Sequence, residues 1–331
     1  MRDSTPMRRR RMLFGMAGAL AALALPMTGS AETAWPTKPI KIIVPFTPGT
    51  GIDVLARTLG QKLSERLGQP VVVDNKPGAS GNIGTGGVAT SAPDGYTLLM
   101  TVNTFVINPS LYKSVPYDPV KSFVPVAPAA VGALTFTVHP SFPAKTLAEA
   151  VKLFKANPGK YTYASPGSGT PQHLAMELFK LNTGTDLLHV PYKGSAGAIT
   201  DLLGGEVQVM VLPVHSALTH AKAGRIRMLA VAQDKRAPIA PDVPTFAEQG
   251  VANSNVDLWY GLMAPSGTPA AVVDKLNGEV NAILAMPDVR EALDKQGMIP
   301  TPGKPEALGM LVKNDFARWA EVIRRAKITA D

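Results

Sequence analysis

Two short stretches of this sequence carry main-chain donors at spacings suited to an anion. Thr47-Pro48-Gly49-Thr50-Gly51-Ile52-Asp53 follows the β-like run Ile40–Phe46, and Ser165-Pro166-Gly167-Ser168-Gly169-Thr170-Pro171 follows Tyr161–Ala164. Each stretch opens a helix-like run. A glycine-rich turn from strand to helix points backbone N–H groups out along the helix axis, where the helix dipole adds to them, so a negative group is held without any charged side chain. The two stretches lie roughly 120 residues apart, which predicts two lobes closing on one small anion.

The residues that other chemistries need are missing or badly spaced. There is no cysteine, and no Gly-x-Ser-x-Gly elbow, His-Glu-x-x-His pair or Walker motif. The five histidines are His139, His173, His189, His215 and His220. His215 and His220 are five apart, off a common helix face. His173 and Glu177 stand at i, i+4 and read as a structural pair rather than as metal ligands. Gly84-Thr85-Gly86-Gly87-Val88-Ala89 loosely matches a dinucleotide fingerprint, but it follows no strand directly and lacks the supporting acid. Lys76–Asn82 is a third glycine-rich loop, open to reading as a binding loop or a surface turn. Lys193, at another strand-to-helix junction, is either a counter-charge or a surface lysine. Without a nucleophile, an acid–base pair, a metal set or a cofactor fingerprint, the sequence predicts binding and not catalysis, with no cofactor and no metal.

The elements that must position the two loops alternate between short β runs and longer helical ones. Strands are predicted at Ile40–Phe46, Val71–Val73, Tyr96–Thr101 and Leu134–His139, with Ile52, Leu55, Ala56, Leu59 and Leu63 at helical spacing between the first two. After the helix 146–156 the rhythm repeats: strand Tyr161–Ala164, helix Gln172–Leu181, strand Leu187–Val190, helix Ala196–Leu203 and strand Val207–Leu212. A helix at 217–223, strands at Met228–Ala232 and Leu258–Ala264, and helices at 270–285, 289–296 and 305–326 complete the pattern. Strands alternating with helices imply an α/β fold with parallel or mixed sheets covered on both faces.

Met1–Ala31 reads as an export signal. Arg8–Arg11 forms the basic region, Met12–Leu25 an apolar stretch of 14 residues, too short for a membrane span, and Gly29-Ser30-Ala31 the cleavage site. Arg10-Arg11-Met12-Leu13-Phe14 leaves a twin-arginine route as open as the Sec route. The signal carries five arginines and one aspartate of the formal +8, so its removal leaves +4 on the mature chain. The remaining basic residues are scattered rather than clustered, which argues against nucleic acid as a partner. An exported chain without cysteine has no disulfides and must rely on its core; about 300 residues suffice for two lobes.

Seven segments, in order from Trp35 to about Pro269, carry a family resemblance: WPTKPIKIIVPFTPGTGID, VVVDNKPGASGNIGTGGVATSAPDGYTLL, NPSLYKSVPYDP, YASPGSGTPQHLAMELF, HVPYKGSAGAITDLLGGEVQVM, PDVPTFAEQG and WYGLMAPSGTP. The chain resembles the periplasmic solute receptors of the Bug family, the binding components related to tripartite tricarboxylate transporters. The resemblance implies a type II periplasmic-binding-protein fold: two α/β lobes joined by a two-strand hinge, lobe 1 from 35–132 plus 254–331 and lobe 2 from 133–253. It further implies a carboxylate ligand held between the lobes through amides, hydroxyls and ordered water. The expected protein is a monomer that serves integral-membrane permease subunits, with a partner of a signalling receptor or a periplasmic enzyme acting on organic acids as the alternatives. Carried over by motif, Thr47, Gly49, Thr50 and Gly51 form the first-lobe wall. Ser165, Ser168, Gly169 and Thr170 form the carboxylate cradle of the second. Thr101, Asn103 and Asn108 match the pocket strand end and the loop after it. Asp201 either faces the cleft or is structural. Where the family has Pro-Gly-Gly in the first loop, this chain has Thr50 as the third residue. Either Gly51 takes over the close approach, or Thr50 places a hydroxyl in the cleft.

Overall fold

The computed structural model describes residues 35–329; the expected signal, Met1–Ala31, lies outside them. Two separate sheets organise the chain. The first holds six strands in the order β11-β4-β10-β3-β1-β2, namely Met298–Pro300, Phe123–Gly132, Leu258–Pro265, Thr97–Val102, Ile40–Val44 and Val71–Asn75. The second holds five in the order β7-β6-β8-β5-β9, namely Leu188–Pro191, Thr162–Ser165, Val209–Pro213, Leu134–Val138 and Arg227–Val231. Both sheets belong to one compact unit that begins at Lys38.

Strand directions decide where the two glycine loops fall. β1 runs parallel to β3, and β10 is antiparallel to both β3 and β4, so β1, β3 and β4 all end at the same edge. From that edge the chain crosses through Ala133 into β5. β5 is antiparallel to β8, and β8 is parallel to β6, so β6 ends where β5 begins. The loops after β1 and β6 therefore both leave their sheets at the edges adjoining the crossing. A second crossing runs beside the first: Ala232 N–H donates to Leu134 O (2.8 Å), Val256 N–H donates to Ala232 O (2.8 Å), and Leu258 pairs with Gly132. This is a two-strand hinge.

Helices cover the sheets because their apolar residues fall on one face. In α1 (Gly51–Leu67), Ile52, Leu55, Ala56, Leu59 and Leu63 are buried, and Gly68 ends the helix in the left-handed conformation at φ 66°. Full burial of each leucine contributes roughly 1.5–3 kcal/mol. α5 (Pro171–Thr183) begins at an N-cap threonine with proline in its first turn and ends at Gly184, φ 63°. In the second lobe, Phe136, Phe154, Phe179 and Phe246 form a buried aromatic cluster. The C-terminal helix α10 (Pro305–Ala326) packs on β4 and α3 (Thr104–Leu111) and also reaches α5. Its Asp315 accepts from Trp259 Nε1 (2.6 Å) and from Asn103 Nδ2 (3.4 Å), which ties the hinge strand β10 to α10.

Four elements went unpredicted. β4 contains Pro125 and Pro128, which lack the N–H a central strand needs; β11 covers β4 only at 130–132, so the prolines sit where no second neighbour asks for a donor. β11 itself is three residues long. α3 contains Pro109, a residue that argues against a helix interior. α2 (Asn82–Ala89) is built from glycines with poor helix propensity; a Cβ at Gly84 would stand 2.6 Å from Lys76 O, and one at Gly86 2.5 Å from Pro116 Cγ, so close packing selects them. Among the described residues, no helix is long and apolar enough to cross a membrane.

Candidate functional site

The two helix openings are built alike. Gly49 and Gly169 both take positive φ, 82° and 75°. The next residues, Thr50 and Thr170, are the N-caps of α1 and α5, with φ/ψ of −73°/158° and −68°/153°. Thr50 Oγ1 donates to Thr47 O (2.9 Å), three residues back, and Thr170 Oγ1 donates to Gly167 O (2.8 Å) in the same way. Each glycine N–H donates to a side chain four residues on: Gly49 to Asp53 Oδ2 (2.9 Å) and Gly169 to His173 Nδ1 (3.0 Å). The amides of Gly49 and Gly169 are therefore spent inside their own loops, and these residues supply turn geometry rather than donors.

Thr50 carries no strain, because the left-handed position belongs to Gly49. Its hydroxyl pins the loop through the bond to Thr47 O. Gly51 is crowded from within its own lobe: a Cβ there would lie 2.8 Å from Met298 Cε and 3.4 Å from the Tyr260 hydroxyl. The N–H groups of Gly51, Ile52 and Asp53 have no protein acceptor among the described residues, as expected for the first turn of a helix. In α5 the first position is Pro171, without an N–H, and the His173 N–H donates to Thr170 Oγ1 (3.4 Å).

The two loops differ in charge. Asp53, 3% exposed, accepts from Gly49, from Asn75 Nδ2 (2.9 Å) and from Arg57 Nε (3.1 Å). Burial pushes its carboxyl up, but the bonds from Arg57, Gly49 and Asn75 outweigh this and hold it below the usual range. His173 in α5 is neutral: burial first, then His189 and Lys180, lower it from 6.5 to about 3. Because Nδ1 accepts the Gly169 N–H, the ring proton sits on Nε2. The His173 ring stacks at 3.9 Å on His189, which stacks at 4.8 Å on Tyr163. His189 Nε2 shares a 2.7 Å hydrogen bond with Ser165 Oγ, which also bonds within its own loop. The opening of α1 thus holds an internal carboxylate balanced by Arg57, whereas α5 holds no charge at the matching position.

Asp53→Ala is expected to cost about 2–3 kcal/mol of stability in urea unfolding, because the Gly49 amide, Asn75 and Arg57 all lose their acceptor. A loss under about 0.5 kcal/mol would show that the carboxylate does not hold this loop.

The other expected residues take these places. Ser168 lines a cavity of about 280 Å³ between α5 and the end of α10, shared with His173, Glu177, Lys180 and His189. Thr101 is buried on β3 opposite Gly261. Asn103 donates to Asp257 O (2.9 Å), at the second crossing. Asn108 Nδ2 donates to Ser80 O (2.9 Å) and Asn82 Oδ1 (2.8 Å), anchoring α3 to the third glycine-rich loop. One turn later Leu111 meets the second lobe, where a Cβ at Gly169 would stand 1.9 Å from Leu111 Cδ2. Asp201, on α6 (Ser195–Gly204), accepts from Tyr192 OH (2.5 Å) and is half-buried. The expected pairing of His173 with Glu177 is replaced: Glu177 accepts from Tyr163 OH (2.5 Å) and Lys180 Nζ (2.7 Å), while His173 turns to Gly169. Asp53 and His173 escaped notice as loop anchors, although the spacing Gly-Thr-x-x-acceptor stands in both stretches of sequence. Tyr260 gave no local signal, since only the sheet brings it under α1.

Two α/β lobes on a double-stranded hinge, with matched helix openings at the hinge-side edges, define a solute-binding receptor. Residues 55–328 match the tripartite tricarboxylate transporter family receptor, and the chain belongs to that family. It is similar to protein BugT of Bordetella pertussis, 38% identical over 320 residues, 96% of this chain and 97% of BugT. A structure of Rpa4515 from R. palustris with adipate has 36% identity and a TM-score of 0.80, covering 90% of this chain and 100% of that one. MatC from Rhodopseudomonas palustris with bound malate has 30% identity and a TM-score of 0.75, covering 87% and 99%. Proteins of this family are periplasmic solute-binding receptors and not enzymes.

Proposed function

We propose that this protein is exported to the periplasm and, as a monomer, captures a small carboxylate-bearing organic acid for uptake through permease subunits of a tripartite tricarboxylate-type transporter. The ligand sits between lobe 1 (35–132 plus 254–331) and lobe 2 (133–253). The first wall is formed by Thr47, Gly49, Thr50 and Gly51, and the second by Ser165, Ser168, Gly169 and Thr170. The observation that carries this reading is the pair of like-built Gly-Thr helix openings at the two edges beside the hinge. The adipate and malate held by relatives support the ligand class.

The mechanism is differential binding. Open and closed lobes interconvert, and a ligand favours closure because only the closed form touches it from both sides. A helix-end contact contributes about 0.3–1 kcal/mol when exposed and more when buried. Several neutral donors converging on one acid reach roughly micromolar affinity, about 8 kcal/mol. A thermal-shift screen against unbranched mono- and dicarboxylates of three to six carbons, with malate included, tests the reading. A true ligand at a hundred times its Kd is expected to add about 2.7 kcal/mol of apparent stability. A flat response across the whole panel would overturn it.

A further inference from the structure

The first turn of α1 has a neighbour outside both glycine loops, Tyr260. Tyr260 lies on β10, level with Val102 of β3 and Ala130 of β4. One edge of its ring passes the hinge, with Cε2 3.7 Å from where a Cβ on Gly132 would be. The hydroxyl ends 3.4 Å from the corresponding position on Gly51, the first residue of α1. The side chain is 94% buried, being 6% exposed, and its hydroxyl has no hydrogen-bond partner among the described residues. The ring is packed away, but the hydroxyl oxygen itself keeps contact with solvent, so its proton can be donated to water or to a ligand.

Two further observations converge on the same spot. The N–H groups of Gly51 and Ile52 point out of the helix with no protein acceptor among the described residues. Asp53, the one carboxylate on this turn, is directed to Gly49, Asn75 and Arg57, and Arg57 balances its charge. What remains at the opening is a set of donors, the first-turn amides of Gly51, Ile52 and Asp53 and the Tyr260 phenol, on the hinge side of lobe 1.

We propose that Tyr260 is a ligand-contacting residue whose O–H donates to a carboxylate oxygen seated on the first-turn amides of α1. The inference rests on the carboxylate reading above and adds a donor that neither glycine loop supplies. Burial holds the phenol proton well past neutral pH, so Tyr260 stays a donor throughout the physiological range. The carboxylate is either the one also gripped by α5 or a second one on the same ligand, and the two cases separate by experiment.

Calorimetric titration of succinate, malate, glutarate, adipate, butyrate and hexanoate tests this with the wild-type protein, with Tyr260→Phe, and with 3,5-difluorotyrosine incorporated at position 260. For every acid that Tyr260 contacts, Tyr260→Phe is expected to weaken binding about tenfold or more, since a donor to a charged acceptor is lost. The ligand-free melting temperature should change little, because the hydroxyl makes no hydrogen bond among the described residues. The fluorinated ring, a stronger donor of nearly the same shape, should tighten binding, which mere packing would not do; it also carries the test if Tyr260→Phe folds poorly. Loss confined to the diacids places Tyr260 on a second carboxylate. Equal loss for mono- and diacids places it on the shared one. Unchanged affinity in both variants, with wild-type binding intact, would overturn the inference and leave the carboxylate reading standing. An absence of wild-type binding to all six acids would remove both.

Discussion

Gly169→Ala is expected to abolish tight ligand capture, weakening it at least a hundredfold, while Gly49→Ala does far less. The two glycines have nearly the same backbone conformation, φ 75° and 82°, so the strain of placing alanine there is alike, about 1–2 kcal/mol. Their surroundings differ. A Cβ on Gly49 meets nothing within 4 Å, whereas one on Gly169 falls 1.9 Å from Leu111 Cδ2. Leu111 is 8% exposed, and α3, which carries it, is anchored by Asn108 to Ser80 and Asn82. The easiest relief is to move the second-lobe loop away from the first lobe, against closure. Calorimetry on the thermal-shift hit would read the loss, and solution scattering would show a ligand-bound form that stays expanded. Adding Leu111→Ala to Gly169→Ala should recover much of the affinity. If both single alanine variants bind equally well, Leu111 and Gly169 do not gate closure.

Acid is expected to destabilise the second lobe well before its carboxylates titrate. His173 falls from 6.5 to about 3 in the folded protein. A base with a depressed folded pKa is protonated first in the unfolded chain, so the unfolded state binds more protons between these values. Stability contributed by the neutral ring is complete above pH 6.5 and drains away as pH falls towards 3. With about 1.4 kcal/mol per pH unit across that window, the total is on the order of 5 kcal/mol. His215 and His220 are shifted in the same direction, both chiefly by burial, so the wild-type curve contains their share. His173→Gln separates them. Glutamine three residues after Thr170 completes a capping box and cannot be protonated, so its urea-unfolding curve should be distinctly flatter between pH 6.5 and 4. A variant with the wild-type slope would show that His173 is not the proton-sensitive group. Protonation also removes the Nδ1 acceptor from the Gly169 N–H, so ligand affinity should fall over the same range.

Most of the architecture was legible because it rests on local rules. Period-3.6 apolar residues from Ile52 to Leu63 and the apolar run at Ile40 need no tertiary information to declare a helix and a strand. The limits of that reading are equally physical. β4 was invisible because Pro125 and Pro128 forbid a central strand in general, and only the short β11 leaves their positions free of a second neighbour. α2 was invisible because its glycines answer to Lys76 and Pro116, distant in sequence. Thr50 posed a question of strain that the chain order could not answer; the backbone places the positive φ one residue earlier, at Gly49.

Read as a sequence, the chain already shows two glycine-rich turns from strand to helix, at 47–53 and 165–171, since each depends on residues close together along the chain. It also determined the family, through seven segments in order. The tertiary structure alone decided what each turn faces. β6 ends at the hinge only because β5 and β8 run antiparallel, Leu111 meets Gly169 only because α3 is tied to a loop some 28 residues earlier, and Tyr260 reaches α1 only through the pairing of β10 with β3 and β4. Contacts of that kind follow from sheet order and strand direction, which no short-range pattern encodes.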